Sequence, residues 1–372
     1  MLRNKRMNRL SNYLQEQQIS VAFVTSTANV FYLTGFYCVP HERLLGLLVF
    51  PNQEPILVCP KMETNTARNS GWKYGIVDFS DTDNPWELIQ KKLDQTNLSF
   101  KKMAVEENHL ILSRYYNLKD LFQEAKIENI EPELQQMRLT KDESEIEIMR
   151  EAARLADLGI EAGVKAVAVG VTELEVLSSI ESEMKKNGVH KFSFDPIVLF
   201  GQKSADPHGV PGNQKLKKGN FVLFDIGVHY NGYCSDITRT FIFGEASQEQ
   251  KEIYQTVLNA ELAAINHCNV GNKVGELDTI SRNYIEDKGY GPYFIHRLGH
   301  GLGIEVHEFP SLNNQNNQPL VEGMAFTIEP GIYIPEIGGV RIEDDIVITK
   351  DGVEVLTSYP KELQIIKEQV KI

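Results

Sequence analysis

The sequence predicts an α/β domain over residues 1–133, followed by an α+β domain of pseudo-twofold design over residues 134–372. Three observations carry this. Helix-periodic and strand-like stretches alternate through the first third of the chain, the pattern of a mixed or parallel sheet covered by helices. Beyond it, one order of elements (helix, helix, strand, hairpin) occurs twice, offset by roughly a hundred residues. Each copy closes on a hairpin rich in acidic residues. At 372 residues the chain is also long for a single core.

In the first domain Met7 to Gln17 has helical spacing. Val21–Thr25, Leu44–Phe50, Ile56–Cys59, Ile76–Phe79 and Met103–Glu106 read as strands, with helices over Pro85–Leu93 and Arg114–Glu124 between them. Its one concentrated polar group is the loop Pro40-His41-Glu42-Arg43.

In the second domain Thr140-Lys-Asp-Glu143 reads as a capping box opening a long helix to about Val167. Thr172 to Glu175 repeats the signal for a helix to Lys186, stopped by Gly188. A strand over Ser193–Phe200 and a loop to Gly212 lead into the first hairpin. The second copy has helices Gln248–His267 and Val274–Lys288, a stop at Gly289, a strand-like Tyr293–Leu298, a glycine-rich loop and the second hairpin. Gly188 then corresponds to Gly289, and His208 to His307.

The apolar fraction is 42%, the charged fraction 24% and the formal charge −13. Those values exclude a disordered chain and argue against a nucleic-acid surface. The basic N-terminus lacks the apolar stretch of a signal peptide, and no run is long enough to span a bilayer. Cys38, Cys59, Cys234 and Cys268 show no paired spacing, which points to reduced thiols in the cytosol.

The first hairpin runs from Phe221 to Phe243 around Asn231-Gly232, the strongest short turn signal. A two-residue turn there pairs Tyr230 with Tyr233, Asp225 with Thr238 and Gly227 with Asp236. Side chains alternate faces along a strand, so Asp225 and Asp236 leave one face as diagonal neighbours roughly 7–8 Å apart. Cys234 shares that parity, and a small packed thiol is its reading.

The second hairpin joins Ala325–Ile334 to Val340–Thr349. A bend centred on Glu336 puts Glu329 opposite Glu343, with Tyr333 and Arg341 on their face; a two-residue turn at Gly338-Gly339 would put the glutamates on opposite faces. Pro330 requires an edge or a bulge. In Arg297-Leu-Gly-His-Gly-Leu-Gly303 the glycines allow close backbone approach, and His300 supplies an imidazole. Four carboxylates on one concave face carry four negative charges, too costly to bury unpaired. Two divalent ions would balance them. Oxygen-rich ligation with one imidazole suits manganese, with zinc or cobalt as alternatives.

The ordered segments FDIGV…GYCSDITRT, HRLGHGLGIEVHE, TIEPGIY and GVRIEDD resemble the metallopeptidases of the pita-bread (creatinase/aminopeptidase-like) fold. The first domain resembles the creatinase-type domain preceding it in Xaa-Pro dipeptidases, or prolidases, and in aminopeptidase P. The resemblance implies that Asp225, Asp236, His300, Glu329 and Glu343 ligate a dinuclear centre, with Glu329 also taking a proton from the attacking water. It implies that His208 steadies the transition state, that His307 touches the substrate amide, and that Tyr333 and Arg341 support the ligands or substrate. It further implies cleavage of small Xaa-Pro peptides by a metal-activated water in a homodimeric enzyme. Alternatives are aminopeptidase P-like action on longer peptides and a non-catalytic binding protein on the same fold. Some prolidases hold the substrate carboxylate with an arginine where this chain has Ser311. Arg297 and His41 are the candidates to replace it.

Overall fold

The computed structural model describes residues 2–96 and 98–367. The chain divides into two compact units, Met1–Arg138 and Leu139–Ile372. The division falls after Arg138 because the helix Glu131–Arg138, not foreseen from the sequence, ends the first unit.

The first unit is built on a six-stranded sheet in the order Gly75–Phe79, Ile56–Pro60, Gly46–Val49, Val21–Val24, Lys102–Val105, Lys126–Asn129. Gly46–Val49 runs antiparallel to both neighbours, and the remaining pairs are parallel. Phe23, Leu48, Val58, Ile89 and Met103 lie in its core. A helix over Thr27–Thr34 was also not foreseen, although both its ends are marked. Ser26 accepts the Asn29 N–H at its start, and Gly35 takes a φ of 74° at its end.

In the second unit the long helix spans Glu143–Ala166, and its cap is not Thr140. Asp142 and Glu145 form the capping box, while Thr140 is drawn into a bridge with Met324. That backbone pairing leaves Asp142, two residues on, to cap the helix. Thr172 and Glu175 form their expected box ahead of the helix Glu173–Lys186. The second copy supplies helices Gln248–Asn266 and Val274–Asp287. Gly188 and Gly289 end the two copies' helix pairs in the same left-handed conformation, with φ of 82° and 84°.

Two strand expectations fail. Of Ser193–Phe200 only Ile197–Phe200 is strand, and a separate short strand, Lys191–Phe192, precedes it in a different sheet. Tyr293–Leu298 is not a strand: Gly291–Tyr293 is a 3-10 turn. Arg282 donates to the carbonyls of Phe294 and His296 at 2.9 and 2.8 Å, replacing the strand partners they would need.

Each copy closes a sheet over its helices. The first sheet has the order Ile365–Ile366, Ile237–Phe243, Phe221–Ile226, Ile197–Phe200. The second has the order Glu308–Leu312, Gly299–Gly301, Ala325–Ile328, Asp344–Thr349, Gly352–Val355. Two apolar clusters fill them, one around Phe224, Ile180 and Met184, the other around Phe326, Val257 and Leu277.

Candidate active site

The first hairpin has the expected register. Tyr230 pairs with Tyr233 and Asp225 with Thr238. Asn231 and Gly232 take φ of 47° and 91°, as a primed two-residue turn requires. At Gly227 there is no room for a side chain: a Cβ would stand 2.4 Å from the Ser235 carbonyl and 2.6 Å from the Phe194 ring. Phe194 thus packs beside the segment that holds Asp225 and Asp236.

The second hairpin turns on Glu336. Gly331 pairs with Arg341 and Ile334 with Gly338, which leaves a bend of Pro335, Glu336 and Ile337. Before Pro330 the same count continues, with Ile328 opposite Asp344. Ladder pairing pauses between these two stretches. Carried through that pause, the count sets Glu329 opposite Glu343, while their N–H groups donate to Leu298 and Thr238.

His300 lies in the strand Gly299–Gly301, flanked by Glu308–Leu312 and Ala325–Ile328. The glycines have separate causes. A Cβ at Gly299 would stand 2.1 Å from the Thr327 carbonyl oxygen, and one at Gly301 2.3 Å from that of Phe309. One at Gly303 would meet the Glu308 carboxylate and the Lys141 side chain at 2.8–2.9 Å.

Asp225, Asp236, His300, Glu329 and Glu343 all line one cleft of about 690 Å³. Ligand atoms of Asp236, His300 and Glu343 lie within 4.8 Å of one another. His300 Nε2 stands 3.2 Å from Glu329 Oε1 and 3.8 Å from Asp236 Oδ2. His208, Arg297, His307 and Arg341 line the same cleft. The His307 ring meets the His300 ring edge-on, with centroids 4.2 Å apart.

Each of three carboxylates keeps one buried oxygen with no hydrogen-bond partner: Asp225 Oδ1, Asp236 Oδ1 and Glu343 Oε1. Their other oxygens differ in surroundings. Arg341 Nη2 donates to Asp225 Oδ2, and the Thr238 hydroxyl donates to Glu343 Oε2 at 2.6 Å. Burial pushes the Asp225, Asp236 and Glu343 carboxyls up, and neighbouring carboxylates push the same way. At Glu329 burial also pushes up, but the hydrogen bond and charge of His300 outweigh it and hold the carboxyl down to about 2. Oxygens left bare in a buried, mutually repelling cluster fit divalent cations, which accept several such oxygens at once.

Several site residues were not singled out from the sequence. Thr238 links the two hairpins, accepting from Arg341 Nε at 3.0 Å while donating to Glu343. Thr327 accepts the His300 N–H and donates to Glu329. Asp345 accepts the Asp236 N–H at 3.0 Å. His296 stands 2.9 Å from the Tyr333 hydroxyl, which accepts from Arg341 Nη1 at 3.0 Å. That hydroxyl therefore spends its own proton on His296 Nε2. The imidazole carries its proton on Nδ1, 2.7 Å from the Arg297 carbonyl. Burial lowers the His296 pKa, in keeping with this neutral tautomer. Only His296 had a legible signal, one residue before Arg297.

Tyr333 and His41 are not among the second unit's residues that line this cleft. Tyr333, buried between Arg341 and His296, acts on the site through them. His41 belongs to the first unit, exposed in a turn with φ of 54°. Cys234 is buried, and its thiol donates to the Ile304 carbonyl, as a packed thiol would.

Comparison with known proteins places these features in a class. Metallopeptidase family M24 matches residues 147–350, and the creatinase/prolidase N-terminal domain matches residues 6–140. The chain belongs to metallopeptidase family M24, with the creatinase-type domain ahead of the pita-bread domain. YkvY of Bacillus subtilis, provisionally named a dipeptidase, is 53% identical over 97% of this chain and 99% of its own. The Xaa-Pro dipeptidase of Bacillus anthracis superposes with a TM-score of 0.90 at 37% identity, covering 98% of this chain and 99% of that one. The prolidase of Pyrococcus horikoshii OT3 gives 0.89 at 35% identity, covering 97% and 100%.

Proposed function

We propose that the protein is a metal-dependent Xaa-Pro dipeptidase whose ligands are Asp225, Asp236, His300, Glu329 and Glu343. The observation that carries the reading is the set of bare, buried carboxylate oxygens around His300, in a chain that matches Xaa-Pro dipeptidases over nearly its whole length. Two divalent ions bound there would offset the carboxylates' charge and bring a water's pKa toward neutrality. Manganese is the proposed metal, from the oxygen-rich donor set.

The chain's own residues supply the rest. Glu329, with Oε1 3.2 Å from His300 Nε2, is placed to accept the proton of the attacking water. His208 offers an N–H to the carbonyl oxygen as charge develops on it, and His307 meets the substrate amide. Arg341, with Tyr333 and His296 behind it, holds Asp225 in orientation.

Arg297 is proposed to pair with the substrate's C-terminal carboxylate. It lines the cleft and donates to the Ser311 hydroxyl at 3.2 Å, so its guanidinium already occupies the neighbourhood of the missing arginine. Arg43, beside His41, is instead committed to Asp81 and Glu42. Arg297→Met is expected to raise KM for an Xaa-Pro dipeptide about 10- to 100-fold with kcat little changed. The C-terminally amidated substrate should show no such loss; equal effects on both would remove Arg297 from this role.

The direct test is metal analysis of the purified protein alongside hydrolysis of one Xaa-Pro dipeptide. Near two equivalents of divalent ion and turnover are expected. A preference for a pentapeptide with the same first two residues would move the reading to aminopeptidase P-like action, and absence of turnover to a binding protein. Chelation is expected to lower the melting temperature as well as activity, because the ions bind only the folded site. Equal melting with and without chelator would contradict the ligand set. A homodimer in the cytosol completes the proposal. The buried, unpaired state of all four cysteines is consistent with a reducing compartment.

A further inference from the structure

We infer that the buried Lys141–Glu308 ion pair is a positioning device for the segment 302–308, and through it for His307. The inference rests on the proposed contact of His307 with substrate. Lys141 precedes the cap of the long helix, and its backbone N–H donates to the Gly323 carbonyl at 2.8 Å. Its ammonium lies 3.4 Å from Glu308 Oε2, with the two side chains only 2% and 4% exposed. Neither residue lines the cleft.

Around this pair the segment is pinned on several sides. Glu308 Oε1 accepts the Glu305 N–H at 3.0 Å. The Gly303 N–H donates to the Glu305 carbonyl at 3.1 Å, and the Gly303 carbonyl accepts from the Cys234 N–H at 2.7 Å. The Cys234 thiol reaches the next carbonyl, that of Ile304. Gly303 itself is explained by the pair, since a Cβ there would collide with both its members. His307 is the residue immediately before Glu308. Exposed and touching only one ring edge of His300 among the described contacts, it depends on this bracing for its place.

Stability alone does not account for a buried ion pair, because apolar side chains of similar volume commonly serve as well. Geometry does. Two full charges with directional bonds fix the segment in one arrangement where apolar packing would allow several.

The test is a double-mutant cycle in the full chain loaded with Mn²⁺, using Lys141→Met, His307→Ala and both together. Lys141→Met is expected to lower kcat/KM for an Xaa-Pro dipeptide about 10- to 100-fold. It should act on the same kinetic parameter as His307→Ala and change that variant further by no more than about twofold. Losses that simply multiply would overturn the inference. Should Lys141→Met fold poorly, Lys141→Met with Glu308→Leu removes both charges and is expected to melt near the wild type with activity still reduced. Recovery of wild-type activity in that pair would also overturn it. Amide hydrogen exchange over residues 302–308 separates this question from the substrate. If the wild type cleaves no Xaa-Pro dipeptide, the functional reading fails. Faster exchange at Glu305 in Lys141→Met would then still support the brace, and unchanged protection would sink it.

Discussion

Glu343→Gln is expected to abolish hydrolysis and, in the metal-free protein, to leave the melting temperature unchanged or higher. The two effects have one cause. Glu343 is buried among other carboxylates, and burial followed by repulsion from Glu329 and Asp225 pushes its carboxyl well above the ordinary range. A carboxyl raised in the folded state stabilises the fold while protonated and loses that contribution as pH rises through its folded pKa. Above that point the neutral amide removes a cost. With metal the sign reverses, because the amide cannot offset a cation's charge. Loss of a ligand's share of transition-state stabilisation, several kcal/mol, corresponds to a fall of about 10³-fold or more in kcat/KM. Manganese content, activity and melting with and without Mn²⁺ measure all three. A variant that keeps two equivalents of metal and normal turnover would remove Glu343 from the centre.

The second large effect is on stability. Arg239→Met is expected to destabilise the second unit by about 3–5 kcal/mol. Arg239 is 1% exposed and spends its donors on four partners. It reaches the Tyr359 carbonyl through Nε and Nη2, the Thr238 and Glu343 carbonyls through Nη1, and Asp344 Oδ1 through Nη2. Removing it leaves three carbonyls short of a donor. Asp344, which is wholly buried, loses its guanidinium partner and keeps Lys361 and Thr357. Two of those carbonyls belong to Thr238 and Glu343, so metal affinity should weaken as well. Urea unfolding and metal titration of the variant check both parts. Arg239→Lys should rescue little, since an ammonium cannot reproduce the planar fork.

Much of the site was legible because four of its five proposed ligands ride on hairpins, where spacing becomes geometry. Asn231-Gly232 fixes a turn length, and the turn length places Asp225 and Asp236 on one face. For Glu329 and Glu343 the sequence offered two registers with opposite consequences, and the bend at Glu336 is the one adopted. What remained illegible depends on contacts between distant segments. Thr238, Thr327 and Asp345 are ordinary strand residues until a partner 27 to 109 positions away is brought against them. The 293–298 stretch has the composition of a strand, yet Arg282 supplies its hydrogen bonds from a helix. Thr140 offered a sound cap and lost it to backbone pairing across the unit. The helix Thr27–Thr34 was hidden by its apolar, β-branched and aromatic content, though Ser26 and Gly35 flank it.

The bend of Pro335, Glu336 and Ile337 lies at one end of two short ladders that share one register count, from Ala325–Val347 to Ile328–Asp344 and from Gly331–Arg341 to Ile334–Gly338. It behaves as a ruler. Its letters are free to drift, but its length is not: with a three-residue bend kept, losing one residue sets Asp344 opposite Glu329 and gaining one sets Ile342 there, and either change turns Glu343 to the opposite side of the sheet. Selection on this stretch would therefore tolerate exchanges far more readily than insertions or deletions.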